Sequence, residues 1–178
     1  MILKIRHNRA EHAHENVQFR RIATGLSQFF EQKGWDGLLI GNPESEDFSR
    51  FRADALLLYN HGLIIIDLKD YQGSINLPPN DNEFNMNAWY IDTEGDKSRI
   101  EIKGGSRFAN PFRQLKSYRQ VMYEVIEKNI ILHSNLDPSR ICAVNLFSGP
   151  IELNRKIPGN LPYYKITQEN DFYNFLYD

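Results

Sequence analysis

The fold is decided by residues 52–69, which read RADALLLYNHGLIIIDLK. Two apolar segments, 52–59 and 63–69, have the length and composition of β-strands. Between them, Asn60-His61-Gly62 is typical of a hairpin turn, because Asn and Gly tolerate positive φ angles. The stretch therefore predicts two strands that run antiparallel and are joined by a tight turn.

Three charged side chains interrupt this predicted hairpin. Asp67 and Lys69 are two residues apart on a strand, so they point to the same face. If Asn60-His61 forms the loop, Asp54 lies opposite Asp67, and if His61-Gly62 forms it, Asp54 lies opposite Lys69. Residues that lie opposite each other share a face, so both registers gather the three charges on one side. A three-residue loop without a bulge would place Asp54 on the other side.

Two neighbouring carboxylates at the end of an apolar strand point to a metal site. Charge at that depth is costly unless it is paired or metal-bound. Hard oxygen ligands suit Mg²⁺ or Mn²⁺. A lysine beside such a site can help to activate water or can stabilise the charge on a phosphate. The pattern thus predicts phosphodiester hydrolysis, and the alternative is a structural ion pair between Asp67 and Lys69.

The rest of the chain alternates helix and strand. Before the hairpin, the pattern predicts a helix over 9–33 that ends at Gly34 and a strand over 37–40. After it come a third strand over 73–77, broken by 78–82, and an exposed hairpin over 89–92 and 99–103. The remaining predicted elements are a helix over 111–129 with Asn110 as its N-cap, strands over 140–147 and 163–166, and a final short helix capped by Thr167. The order helix, three strands in a meander, helix, strand predicts an α/β fold with a mixed central β-sheet flanked by helices.

Composition sets broad limits on the function. The chain has 178 residues and a net charge of -2, which excludes a basic nucleic-acid coat. Its longest apolar run, 63–66, is too short for a bilayer, and its one cysteine, Cys142, fits a reducing compartment. We expect a cytoplasmic location without membrane association. The chain ends just after an aromatic segment, 172–177, so we expect one domain over 1–178 that is the N-terminal fragment of a longer protein.

Three sequence blocks resemble the nuclease-related domain (NERD) of the PD-(D/E)XK, or restriction-endonuclease-like, superfamily. They are residues 52–58, 62–73 and 110–114, and the resemblance extends from the first helix to about residue 148. It implies the αβββαβ core of that superfamily. It also implies a catalytic set in which Lys69 is the motif lysine and Gln114 belongs to the Asn-Pro-x-x-Gln block. The implied metal ligands are Asp54, Asp67, Glu15 and the carbonyl of Leu68.

Two of these positions depart from the family pattern or have a rival. Ala53 replaces the proline that precedes the first acid in the family. Glu15 shares the apolar face of the first helix with Phe19 and Ile22, but Glu11 lies one turn earlier on the same face. A structural salt bridge is the alternative role for Glu15.

The leading hypothesis is a Mg²⁺- or Mn²⁺-dependent nuclease that acts on DNA. Basic residues on or before the second long helix are candidates for phosphate contacts, although each is also compatible with a solvated charged face. They are Arg107, Arg113, Lys116 and Arg119. One alternative is a non-catalytic nucleic-acid-binding or targeting module of a larger helicase- or ATPase-type protein. Another is a partner-interaction domain that uses its aromatic C-terminal helix.

Overall fold

The computed structural model describes residues 3–8, 13–44, 51–93, 98–105, 107–128 and 140–176. Within these ranges the chain forms ten strands and four helices. In chain order they are β1 (Lys4–His7), α1 (Ala13–Lys33), β2 (Gly37–Gly41), β3 (Ala55–Tyr59), β4 (Gly62–Lys69), β5 (Gly73–Asn76), α2 (Asp81–Met86), β6 (Trp89–Asp92), β7 (Arg99–Ile102), α3 (Pro111–Lys128), β8 (Ile141–Phe147), β9 (Ile151–Leu153), β10 (Tyr164–Gln168) and α4 (Glu169–Phe175).

A six-stranded mixed sheet organises the domain, with the strand order β1-β2-β3-β4-β8-β10. Strands β2, β3 and β4 form an antiparallel meander, and β8 then runs parallel to β4. Helix α1 packs on one face of the sheet and α3 on the other, so two apolar cores flank it. The predicted αβββαβ core is confirmed as α1, β2, β3, β4, α3 and β8, with β1 and β10 added at the edges.

The register of the β3–β4 hairpin is the first of the two that the sequence allows. Tyr59 pairs with Gly62 across a two-residue Asn60-His61 turn, and Ala55 pairs with Ile66. One step further along this register, Asp54 comes opposite Asp67. Asp54, which immediately precedes β3, and Asp67 on β4 are therefore neighbours across the hairpin, as predicted.

The predicted third strand does not extend the meander, which corrects the sequence-based interpretation. Strand β5 instead pairs with β6 and β9 in a second sheet of order β7-β6-β5-β9. Gly73 has φ 127°, and a side chain there would collide with the carbonyl of Asp92, so glycine lets the chain turn out of the first sheet. The region 78–82, predicted only as a break, contains the start of α2, capped by the side chain of Asn80.

The helix ends follow the sequence signals with one exception. Helix α1 ends at Lys33, and Gly34 follows with φ 64°. The predicted Thr167 cap is wrong: Thr167 lies in β10, and α4 begins after Gln168, whose side chain makes no capping hydrogen bond. Residues 9–12 and 129, which the predicted helices included, lie outside the described residues.

Candidate active site

The three charges lie together at the C-terminal end of β4, on the face of the sheet that α3 covers. Leu63 and Ile65 belong to the core beneath α3, whereas Ile64 and Ile66 belong to the core beneath α1. Side chains alternate along a strand, so Asp67 and Lys69 continue the α3 face. The structure thus brings the predicted carboxylates and the lysine to one side of two neighbouring strands.

Short contacts join these groups. The Lys69 Nζ atom lies 3.1 Å from Oδ1 and 2.9 Å from Oδ2 of Asp67. The Leu68 N–H donates to Oδ2 of Asp54 over 2.6 Å. Asp67 is 1% exposed, and the Lys69 side chain is 12% exposed. Lys69 contacts Asp67 directly and acts on Asp54 through its charge, so these three groups carry a net negative charge when both carboxylates are ionised.

Burial shifts the pKa values of Asp54 and Lys69 in opposite directions, and neighbouring charges act on both. Burial raises the pKa of Asp54 well above its ordinary value, and the Asp67 carboxylate raises it further, while Lys69 and the Leu68 N–H lower it. For Lys69, burial lowers the pKa, but the Asp67 and Asp54 carboxylates outweigh it and the pKa is raised. Lys69 is therefore an ammonium ion at neutral pH in this arrangement.

Glu15 lies close enough to influence the site but does not join the two aspartates. It is half-buried on α1, and its carboxylate adds to the raised pKa of Asp54. In the part of the chain that the structure describes, no group of three or more His, Cys, Asp or Glu side chains has the geometry of a metal site. Asp54 and Asp67 thus form a two-carboxylate pair. Glu11, the rival of Glu15, lies outside the described residues.

Helix α3 begins with an asparagine that fixes its position. Asn110 is fully buried, and its Oδ1 caps the helix by accepting from the N–H of Arg113 over 2.9 Å. Its Nδ2 donates to the carbonyls of Phe84 and Asn87, at 3.0 and 2.8 Å. One side chain therefore joins the first turn of α3 to α2, and Pro111 occupies the first helical position.

Gln114 lies one turn further along α3 and carries an unsatisfied atom. It is 6% exposed, and its Nε2 donates to the Tyr118 hydroxyl over 3.3 Å, while its Oε1 is buried without a hydrogen-bond partner. Burial raises the pKa of Tyr118, and the charges of Asp67 and Asp54 raise it too, so this hydroxyl lies near the carboxylates. Unsatisfied buried polar atoms are few in folded proteins, and a catalytic role or a bound water or ion is among the explanations for one.

Comparison with known protein families matches the sequence of this chain to one of them. The family model for the nuclease-related domain matches residues 12–147, which is most of the chain and contains every residue of the predicted catalytic set. The chain belongs to the NERD family. NERD domains are placed in the PD-(D/E)XK superfamily, so the domain is nuclease-related. No curated protein and no solved structure matches the chain.

The basic residues predicted to contact phosphate separate into two groups in this NERD domain. Arg107, Arg113 and Lys116 are exposed before and along α3. Arg119 is half-buried: its Nε donates to the carbonyl of Ile141 over 2.7 Å, and its guanidinium lies 4.0 Å from the ring centre of Tyr163. Arg119 therefore joins α3 to the sheet, at the end of β8 remote from Asp67.

Sequence reasoning missed three buried polar side chains near the site. Asn145 donates to Asp67, and Tyr164 in turn donates to Asn145. Gln18 donates to the carbonyl of Leu146 over 3.1 Å, and its Oε1 has no partner. Asn145 carries the signal that revealed Asp67, because it is the one polar residue of an apolar strand, 141–147. Gln18 is a polar residue on the apolar face of α1, three residues after Glu15.

The oxygen donors at the site fit a hard divalent cation. Mg²⁺ binds one or two protein carboxylates and keeps several waters, which suits the pair Asp54 and Asp67. The N–H and C=O of one strand residue point to the same side. Since the Leu68 N–H points to Asp54, the Leu68 carbonyl is directed to that side as well.

In the described ranges, no helix is long and apolar enough to cross a bilayer.

Proposed function

We propose that this NERD domain hydrolyses phosphodiester bonds of DNA and requires Mg²⁺ or Mn²⁺. One observation carries the proposal: Asp67 on the central strand and Asp54 beside it are two neighbouring carboxylates with one lysine, Lys69, which contacts Asp67. Burial, and then the neighbouring Asp67 carboxylate, raise the pKa of Asp54, so its ionised form is costly in the protein alone. A bound cation would offset this cost.

The ligands in this proposal are Asp54, Asp67 and the carbonyl of Leu68, with Glu15 acting through water. The cation would supply positive charge that activates water and offsets the charge developing on the phosphate. The Leu68 N–H bond to Asp54 holds one carboxylate oxygen on the protein side. This leaves the second carboxylate oxygen of Asp54 to bind the cation.

Lys69 acts in this proposal as a charged positioning group. Its pKa is raised by the two carboxylates, so it holds its proton at neutral pH. A protonated ammonium donates hydrogen bonds and stabilises negative charge, but it does not accept a proton. Lys69 would therefore orient the attacking water or a phosphate oxygen.

Gln114 supplies a hydrogen-bonding atom that the protein leaves unused. Its amide is held by Tyr118 on one side, so the remaining buried atom, Oε1, is available to a water at the site. The exposed residues Arg107, Arg113 and Lys116 would contact phosphates of the DNA. Association with a fused or separate helicase or ATPase domain stays a prediction.

Cleavage of supercoiled plasmid and of labelled single-stranded DNA, with Mn²⁺, Mg²⁺ or EDTA, tests this function. We expect cutting with metal, none in EDTA, and none in Asp67→Ala or Lys69→Ala, both checked for folding by circular dichroism. Asp70→Asn is the matched control, because Asp70 directly follows Lys69 but is exposed. Cutting that persists in both site variants would refute the mechanism.

The binding-module alternative gives a different result in the same experiment. A domain that binds oligonucleotides but neither binds Mn²⁺ nor cuts either form of DNA would be a targeting module. Calorimetric titration with Mn²⁺ separates the two functions independently of turnover.

A further inference from the structure

Two buried side chains connect Asp67 to the edge strand β10, on the same face of the sheet. Asn145 lies directly beside Asp67 in the parallel β4–β8 register, and its Nδ2 donates to Oδ2 of Asp67 over 2.5 Å. The Tyr164 hydroxyl, from β10, donates to Oδ1 of Asn145. Asn145 is 0% exposed and Tyr164 is 1% exposed. The resulting chain of hydrogen bonds is Tyr164 to Asn145 to Asp67.

This chain of hydrogen bonds makes the two oxygens of Asp67 unequal. Lys69 contacts both oxygens, but Asn145 contacts only Oδ2. The Tyr164 hydroxyl fixes which end of the Asn145 amide faces Asp67, because it occupies the amide oxygen. Oδ2 is therefore held inside the protein, and Oδ1 is the oxygen with capacity left for a ligand.

We infer that Asn145 and Tyr164 are positioning residues, which orient Asp67 so that its Oδ1 is presented to a divalent cation. This inference rests on the proposed function. Neither residue touches the cation or the DNA; both act through Asp67. Partners behind a ligating group commonly change metal affinity by about 10- to 100-fold when they are removed.

The tyrosine offers a clean test because its ring and its hydroxyl have separate partners. The ring lies 4.8 Å from Phe112 and 6.5 Å from Trp89, centre to centre, within the apolar core beneath α3. Tyr164→Phe keeps this packing and removes only the hydroxyl. Tyr59→Phe is the matched control, since Tyr59 is a partly buried tyrosine in the core on the opposite face and its hydroxyl donates to the Leu176 carbonyl, at 3.5 Å, instead of to the site.

The experiment is calorimetric titration of Mn²⁺ into the wild-type chain and into three variants, without DNA. We expect the dissociation constant to rise about tenfold in Tyr164→Phe and by about 10- to 100-fold in Asn145→Ala, with no change in Tyr59→Phe. Thermal melts show that each variant is folded at the titration temperature. If Asn145→Ala does not fold, Tyr164→Phe alone decides the inference.

The other outcomes each have a definite meaning. Wild-type affinity in Tyr164→Phe and Asn145→Ala would overturn the inference and leave the proposed nuclease function standing. Equal weakening in Tyr59→Phe would also overturn it, because the loss would then come from general loosening of the fold. A wild-type chain that binds no Mn²⁺ would overturn both the inference and the proposed function.

Discussion

Asn110 offers a quantitative test of how the NERD motif works, because its three hydrogen bonds can be separated by substitution. The residue is fully buried, caps α3 through Oδ1, and donates through Nδ2 to two carbonyls of the α2 region. Loss of a helix cap costs about 1 kcal/mol. Each carbonyl left without its partner costs roughly another 1 kcal/mol. Asn110→Ala should therefore lower the free energy of unfolding by about 3 kcal/mol.

Asn80 provides a control with the same chemistry in a different setting. It caps α2 through a bond of 2.9 Å to the Glu83 N–H, but it is exposed. Asn80→Ala should cost only about 1 kcal/mol. In a domain of this size, 1 kcal/mol shifts the melting temperature by about 2–4 °C, so we expect losses of about 6–12 °C for Asn110→Ala and about 2–4 °C for Asn80→Ala.

Substitution by aspartate sharpens the contrast, because it keeps the cap and removes the donor. Asn80→Asp should be neutral or slightly stabilising, since a carboxylate at a helix N-terminus is favourable. Asn110→Asp should destabilise at least as much as Asn110→Ala, since a buried carboxylate would face two carbonyls. Thermal and urea denaturation measure both. If Asn80 and Asn110 respond alike to either substitution, the structural role given to Asn110 is wrong.

Three further predictions concern charged residues. In EDTA, Asp54→Asn should melt at a higher temperature than the wild type at pH 8, and this difference should shrink towards pH 4. Because the pKa of Asp54 is raised in the folded state, the wild type loses stability as the pH rises from the ordinary pKa of 3.8 through the raised pKa. Equal melting at both pH values would contradict this. Arg119→Lys should cost about 1–2 kcal/mol, because lysine cannot reproduce the guanidinium contacts, yet it should leave DNA affinity unchanged. Arg113→Ala should instead reduce the salt dependence of metal-free DNA binding by about one ion, whereas Arg119→Ala should leave that dependence unchanged. A matching reduction in Arg119→Ala would show that Arg119 does reach phosphate.

The sequence was sufficient to predict the centre of the fold because its signals there are local. The Asn60-His61 turn and the alternation of side chains determine which residues of β3 and β4 share a face. Helix α3 is equally well marked by Asn110 and Pro111. These signals need only a few neighbouring residues, so they survive without knowledge of the tertiary structure.

The second sheet could not be predicted in the same way. Strand β5 continues along the chain from β4, and nothing local shows that it pairs with β6 and β9 instead. Strand β9 has three residues and its partner β5 has four, so their pairing depends on the surrounding core. Helix α2 begins at an Asn80 cap that follows two prolines, and the prolines were the stronger local signal.

The candidate site shows the same division between local and distant information. Asp54, Asp67 and Lys69 were recognisable because charge is conspicuous within apolar strands. Asn145 was equally conspicuous in its own strand, but its importance depends on the β4–β8 pairing, which joins residues 78 positions apart. Tyr164 was not distinguishable from other core tyrosines, because only its hydroxyl partner gives it a special place.

The hairpin turn is remote from the site, yet it determines where the carboxylates lie. Gly62 is five residues from Asp67, or about 17 Å along an extended strand. A slip of one residue at the turn would move Asp54 to the other face of the sheet and separate it from Asp67.

Gly62 also has φ 152°, and a side chain there would come within 2.5 Å of the Arg140 carbonyl, so the start of β8 is held against the same turn. The β3–β4 and β4–β8 registers are thus both constrained at this end of the sheet, and together they align Asp54, Asp67 and Asn145 at the other. Because β4 is bonded on both edges and is buried along 63–68, that alignment cannot shift without breaking the sheet. A rigid central strand, rather than a flexible loop, therefore fixes the spacing of the charges on which the proposed chemistry depends.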